Sequence, residues 1–234
     1  MASDIEKMED NEWSFCSLWT AKRKAGCAKA LVNERLAGDY FFNRASVEGC
    51  PAGEEKKIGR VFWEKGMDCY LYFRVAPQSL RVVDTMHVLQ SAGAGKGGNV
   101  VQVERSGIQT WVDIFCESFG VPDWKAEVKR IVTRHFAKLT LLTGYVDDMP
   151  AGCAALYKEN GLTGLYCLGT LPRFRGKGVA KNILLHAQHM AKADSAPLFL
   201  QTLESYGLLD YYKKMGFKIA YQKTICQLSS EKMD

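Results

Sequence analysis

The 234-residue sequence contains no run of about 18 consecutive apolar residues, so nothing in it is long enough to cross a bilayer as a helix. It also lacks any Cys-x-x-Cys pair. The eight cysteines, at positions 16, 27, 50, 69, 116, 153, 167 and 226, are scattered, and reduced thiols are expected. Met1-Ala-Ser-Asp-Ile-Glu opens without the apolar core of a secretory signal, and the expectation is a cytoplasmic protein. Histidine is scarce. His87 and His135 stand alone, while His186 and His189 share a helical face three apart with no Cys or acidic ligand nearby, so no metal site is expected. No Lys/Arg-rich run is interleaved with aromatics, which leaves nucleic acid without a binding surface; no membrane partner is expected either.

What is present is an ordinary globular composition, 47% hydrophobic and 24% charged, with a net charge of +5. Residues 1–98 carry 14 basic and 13 acidic side chains and residues 99–234 carry 17 and 13, so the basic excess lies in the second part. It surrounds one stretch. Residues 165–168 form an apolar, strand-like run, Pro172 bounds a turn, and Arg173, Arg175 and Lys177 surround Gly176 and Gly178. Val179, Ala180, Ile183, Leu184, Ala187, Met190 and Ala191 then recur at helical spacing. The pattern predicts strand, tight loop, helix. Glycines let such a loop approach a ligand closely, and the unpaired N–H groups opening the helix attract an anion. A phosphate or pyrophosphate is the natural guest. A nucleotide P-loop is excluded because Lys177 is followed by Gly178 where Ser or Thr would hold magnesium, and a dinucleotide fingerprint fails because Lys181 stands where its third glycine would fall.

The segment resembles the acyl-CoA loop of the GNAT superfamily of N-acetyltransferases, Arg/Gln-x-x-Gly-x-Gly/Ala, through Arg175-Gly-Lys-Gly178-Val-Ala180. A second phrase of that family, Tyr-x-x-x-Gly-Phe, is matched by Tyr212, Gly216 and Phe217. The resemblance covers about residues 99–228. It implies an α/β fold whose mixed, mostly antiparallel sheet holds a central parallel pair that splays apart, flanked by helices. It also implies acetyl-CoA as co-substrate, with Leu168, Gly169 and Thr170 pairing with the pantetheine arm and Arg175, Gly176, Lys177, Gly178, Val179 and Ala180 holding the pyrophosphate.

Along the chain, residues 1–10 are expected to fray. Residues 12–35 show a helical face interrupted at Gly26, read as two helices. Strands are expected over 39–47, 69–75 and 86–90, a helix over 54–65, and a flexible connector over 91–98 whose Gly95-Lys96 lacks the Ser or Thr of a phosphate loop. A strand follows over 100–104, then helices over 108–119 and 123–136, and three strands over 139–145, 151–157 and 162–168 whose short turns make them antiparallel. After the helix that follows Gly178, a strand over 197–202 must lie parallel to the third of these. A final strand is read over 217–227. The division is therefore residues 1–98, similar in element order to a degenerate acetyltransferase half lacking the loop, and residues 99–234, the acetyl-CoA-binding domain.

Acyl transfer from a thioester to an amine needs a neutral amine, a stabilised oxyanion and a proton for the departing thiolate. Tyr212 matches the family's thiolate donor; a core aromatic is the other reading of it. Glu204, ending a strand, is a candidate base, with an ordered water as the alternative. Ser205 stands where members often carry Asn to fix the acceptor. Cys167 has no adjacent His and is read as a packed thiol, not an acylated nucleophile. The expected activity is direct N-acetylation of a small-molecule or protein amine, with the N-terminal region lining the acceptor site or forming a homodimer surface. The rival is an acyl-CoA-binding sensor without turnover.

Overall fold

The computed structural model describes residues 3–51, 53–75, 78, 80–93, 95 and 97–228. In chain order the elements are α1 (Asp4–Trp19), β1 (Ala21–Ala25), β2 (Ala28–Val32), β3 (Arg44–Ser46), α2 (Glu55–Trp63), β4 (Cys69–Phe73) and β5 (Arg81–Ser91). Then follow β6 (Val100–Gln102), α3 (Ile108–Phe119), α4 (Lys125–His135), β7 (Leu139–Val146), β8 (Met149–Glu159), β9 (Leu162–Thr170), α5 (Val179–Ala193), β10 (Leu198–Leu203), α6 (Leu209–Lys214) and β11 (Phe217–Leu228). The chain clusters into two compact units. The first holds the residues up to Glu12, Leu89–Gln201 and Leu209–Ala220; the second holds Trp13–Val88, Thr202–Leu208 and the chain from Tyr221.

In the first unit β6, β7, β8 and β9 pair antiparallel in that order, and β10 joins β9 in parallel, with Leu198 opposite Thr163 and Leu200 opposite Leu165. The mixed sheet with its parallel pair is the expected one. Two layers of helix cover it. Trp111 of α3 is fully buried and donates its indole N–H to the carbonyl of Ala154 at 3.0 Å, stacking on Phe115 at 5.5 Å, which anchors α3 to β8. Against the opposite face lies α5: a Cβ added at Gly152 would sit 2.5 Å from Val179 Cγ1, so the bare backbone of β8 is what lets the helix close down. Gly95 and Gly97 lie against α5 in the same way. A Cβ on Gly97 would lie 2.2 Å from the Asn182 carbonyl oxygen. These glycines make a close-packed track, whereas the sequence suggested a flexible connector; Ala94 and Lys96 lie outside the described residues.

In the second unit β1 and β2 form a hairpin, β3 pairs antiparallel with β2, and β4 lies parallel to β3 and antiparallel to β11. Its core joins Ile58 and Phe62 of α2 to Ala30, Ala45 and Leu71 of the strands. Two helices over 12–35 are corrected here. One helix starts earlier, at Asp4, so residues 4–10 are ordered, and Gly26, at φ 61, turns the following segment back as a hairpin pairing Ala25 with Ala28. The strand expected over 39–47 shrinks to Arg44–Ser46, because the Asp39 carboxylate accepts the N–H groups of Phe41 and Phe42, each at 2.8 Å, and holds a turn there. Strand β5 runs from Arg81, longer than the 86–90 expected. The reading of all eight cysteines as reduced is corrected at two: Cys27, in the hairpin turn, and Cys50 form a disulfide with Cα atoms 5.5 Å apart, while the other six remain thiols. Partners 23 residues apart in sequence carry no local signal of their meeting.

Candidate acyl-CoA site

The site begins where two strands stop pairing. The β9–β10 register ends at Leu165 and Leu200, yet β9 continues to Thr170. Its other edge stays bonded to β8, Cys153 facing Gly169 and Gly152 facing Thr170. Between Cys153 and Ala155 that register slips by a residue, with Cys167 on the β9 side in the left-handed region at φ 56, a β-bulge that bends the strand away. Leu168, Gly169 and Thr170 therefore lie past the end of the parallel pair, on a strand whose open edge can take an extended amide-bearing arm.

The chain then turns through Pro172–Phe174 and enters α5 with Gly176 and Gly178 both at φ 79. A residue with a Cβ is disfavoured in that conformation, and it points successive N–H groups the same way. The first N–H to bond back within the helix is that of Asn182, to Gly178; the preceding ones have no intrahelical partner. Val179 contributes only backbone here, its side chain being buried against β8. Arg175 is spent differently from what its charge suggested. Its guanidinium donates to the carbonyls of Thr170 at 3.4 Å and Ser118 at 3.2 Å, and Arg173 pairs with Glu117 at 2.5 Å. These two arginines fasten the loop to the last turn of α3. Lys177, over the Phe174 ring at 5.5 Å, stays exposed with its charge outward.

Ser118 went unnoticed in the sequence. A Cβ on Gly169 would come within 2.7 Å of Ser118 Cβ, so α3 closes on the open part of β9 only because position 169 is glycine. Ser118 Oγ is buried beside it with no hydrogen-bond partner among the described residues, a polar atom of the kind an amide arm would satisfy. No local pattern could mark a serine at a helix end as facing a strand some fifty residues on.

Tyr212, in α6, is 7% exposed and packs edge-on against Phe217 at 6.1 Å and Tyr211 at 5.5 Å. Burial, with a smaller push from Tyr211, raises its pKa to about 12. Glu204 and Ser205 belong to the second unit, in a single 3-10 turn after β10, both exposed. The Ser205 hydroxyl donates to Asp84 at 2.5 Å, and its N–H to the same carboxylate at 3.3 Å. Among the described residues no three His, Cys, Asp or Glu side chains gather where a metal could sit. No described helix is long and apolar enough to cross a membrane.

A parallel pair that parts, a bulged strand and a glycine-capped basic loop at a helix start together define the acyl-CoA N-acyltransferase fold. Residues 108–217 match the model of the Acetyltransferase (GNAT) family, which bears out the GNAT resemblance over that segment. Among solved structures, a GCN5-related N-acetyltransferase from Kribbella flavida superposes with a TM-score of 0.66 at 13% identity, over 97% of this chain and 96% of that one. Another, from Sphaerobacter thermophilus, gives 0.63 at 13% identity, over 86% and 76%. A conserved protein of unknown function from Staphylococcus epidermidis gives 0.66 at 12%, over 89% and 93%. At these identities the likeness is one of fold. No curated protein matches the sequence.

Proposed function

We propose that the protein transfers the acetyl group of acetyl-CoA directly to an amine. The observation that carries this reading is the continuous run from the unpaired end of β9 through the Gly176–Gly178 turn into α5, which offers an open strand edge and then the N–H groups of the first turn of α5, which have no intrahelical partner. Leu168, Gly169 and Thr170 would pair with the arm. The backbone of Gly176, Lys177, Gly178, Val179 and Ala180 would hold the pyrophosphate, with Arg175 bracing the loop. The amine nitrogen attacks the thioester carbon and gives up a proton to Glu204 or to water, the carbon–sulfur bond breaks, and the thiolate takes the proton of Tyr212, which solvent then restores. Burial holds the Tyr212 phenol near pKa 12, above its ordinary value, so it meets the thiolate protonated.

The acceptor is a small-molecule or protein amine. Glu204 as base and Ser205 as acceptor ligand remain part of the proposal, and so does a homodimer. Ser205, engaged with Asp84, favours the second reading, a sensor that binds acyl-CoA without turnover. We also propose the division into residues 1–98 and 99–234. In support, β2, β3, α2 and β4 repeat the antiparallel pair, helix and parallel partner of β8, β9, α5 and β10, but the chain entering α2 carries Glu48, Glu54 and Glu55 where the other carries Arg173, Arg175 and Lys177. That acidic turn would repel a pyrophosphate. A cytoplasmic location accords with six cysteines kept as thiols, while the Cys27–Cys50 bridge opposes it; thiol titration of freshly isolated protein decides.

Calorimetric titration with acetyl-CoA tests the central claim. Binding by the wild type, abolished by Gly178→Glu, supports it, and absence of binding overturns it. Thiol release with amines then separates the enzyme from the sensor.

A further inference from the structure

Two consecutive residues of α1 reach the place where β9 and β10 part. The Asn11 amide donates to the carbonyls of Tyr157 at 3.3 Å and Leu162 at 3.4 Å and accepts the Tyr166 hydroxyl at 2.8 Å. Glu12, fully buried, accepts the Gln201 amide at 2.5 Å. Tyr166 and Gln201 are the residues directly after the last paired positions, Leu165 and Leu200. They mark the root of the splay.

The direction of the Gln201 amide follows from its partner. The Gln201 amide donates through its NH2 to Glu12, so its Oε1 is turned away from that carboxyl. Gln201 is only partly buried. Four residue steps separate Tyr166 from Thr170, about 13 Å of strand, and the pyrophosphate loop starts beyond Thr170. An acyl-CoA arm entering from the loop therefore brings its reactive end to the root, beside Gln201.

We propose that Gln201 Oε1 accepts an N–H of the incoming neutral amine and that Glu12 is the positioning residue that fixes the amide for this task. This rests on the acetyltransferase reading above. An amide suits the role better than a carboxylate placed there directly, because a carboxylate would favour the ammonium ion, whose lone pair is not free to attack. Glu12 acts one residue removed, so the amine meets a neutral acceptor and keeps its nucleophilicity. The substrate class is a primary amine delivered uncharged to the splay.

The test uses the full chain with three probes, a short alkylamine, an arylalkylamine and a peptide bearing a free α-amine and a lysine, read by thiol release. With the best probe, Gln201→Met and Glu12→Gln should each raise the amine KM about tenfold. Their acetyl-CoA affinity by calorimetry should stay within twofold, and the double variant should be no worse than either alone, because both remove one interaction. An amine KM within twofold of wild type in a folded variant overturns the inference and leaves the functional reading standing. If both variants lose their fold, or lose acetyl-CoA affinity in step with amine affinity, the pair is structural and the inference falls. A wild type that binds acetyl-CoA but acetylates none of the probes overturns the enzyme reading and this inference with it.

Discussion

Tyr212 is where residue-scale chemistry is most open to measurement. Replacing it by Phe keeps the ring packing against Phe217 and removes one hydroxyl. On the acetyltransferase reading, kcat should fall by about 10²-fold or more while acetyl-CoA affinity changes less than twofold, measured by thiol release and calorimetry. The same phenol has a signature in stability. Its folded pKa, about 12, lies above the ordinary 10.0, so below pH 10 both states hold the proton and nothing is lost. As pH rises through the window between them, the unfolded chain ionises first and stability drops. Wild type should therefore lose about 1 kcal/mol more than Tyr212→Phe between pH 9 and pH 11 in urea titrations. Equal losses would place Tyr212 in water. The loop glycines and this tyrosine were legible because each motif is short and local. Glu12, Asn11 and Ser118 were not, since each acts on a strand brought to it by the fold, and nothing in a helix sequence records which strand it meets.

Among the elements, the parallel pair and α5 follow from periodicity and turn residues, as do α3, β7, β8 and β9, read nearly to their ends from apolar spacing. The first forty residues were harder. Ala and Lys favour helix locally, and only pairing with β2 and the left-handed Gly26 draw Ala21–Ala25 into a strand. The close approach of Gly95 and Gly97 to α5 was missed for a related reason: glycine marks flexibility and close approach alike, and only the neighbour decides. Gly97→Ala would push a methyl within 2.2 Å of the Asn182 carbonyl oxygen and 2.8 Å of the His186 nitrogen, both backbone atoms of α5. It should cost about 1–3 kcal/mol of stability. Gly98→Ala, whose methyl would meet nothing within 4 Å, should stay within about 0.5 kcal/mol. Thermal denaturation of the two, side by side, checks the assignment. In the second unit, Cys27→Ser with Cys50→Ser should lower stability by about 2–4 kcal/mol, and a reductant should do the same to the wild type.

On the scale of the whole molecule, the two units repeat one arrangement of strand, helix and parallel partner with opposite charge at the helix entrance. In one, Gly176 and Gly178 in left-handed geometry precede a helix whose approach is basic; in the other, the approach to α2 is acidic and tied down through Cys50. If the repeat is a functional half joined to one that has lost its ligand, acetyl-CoA should leave an uneven mark on hydrogen exchange. Ligand that binds only the folded site stabilises by RT ln(1 + [L]/Kd), about 2.7 kcal/mol at a hundredfold excess over Kd. Amides that open locally at residues 168–170 and 176–180 should then exchange about a hundredfold more slowly, because their opening requires the ligand to leave. Amides at residues 48–51 and 53–55 should show no protection beyond that of the chain as a whole. Protection of both helix entrances would mean that α2 also carries an anion site despite Glu48, Glu54 and Glu55, and the charge argument for a silent half would be wrong. Protection confined to the α5 entrance would locate the ligand by a readout independent of turnover, and would hold equally for an enzyme and for a sensor.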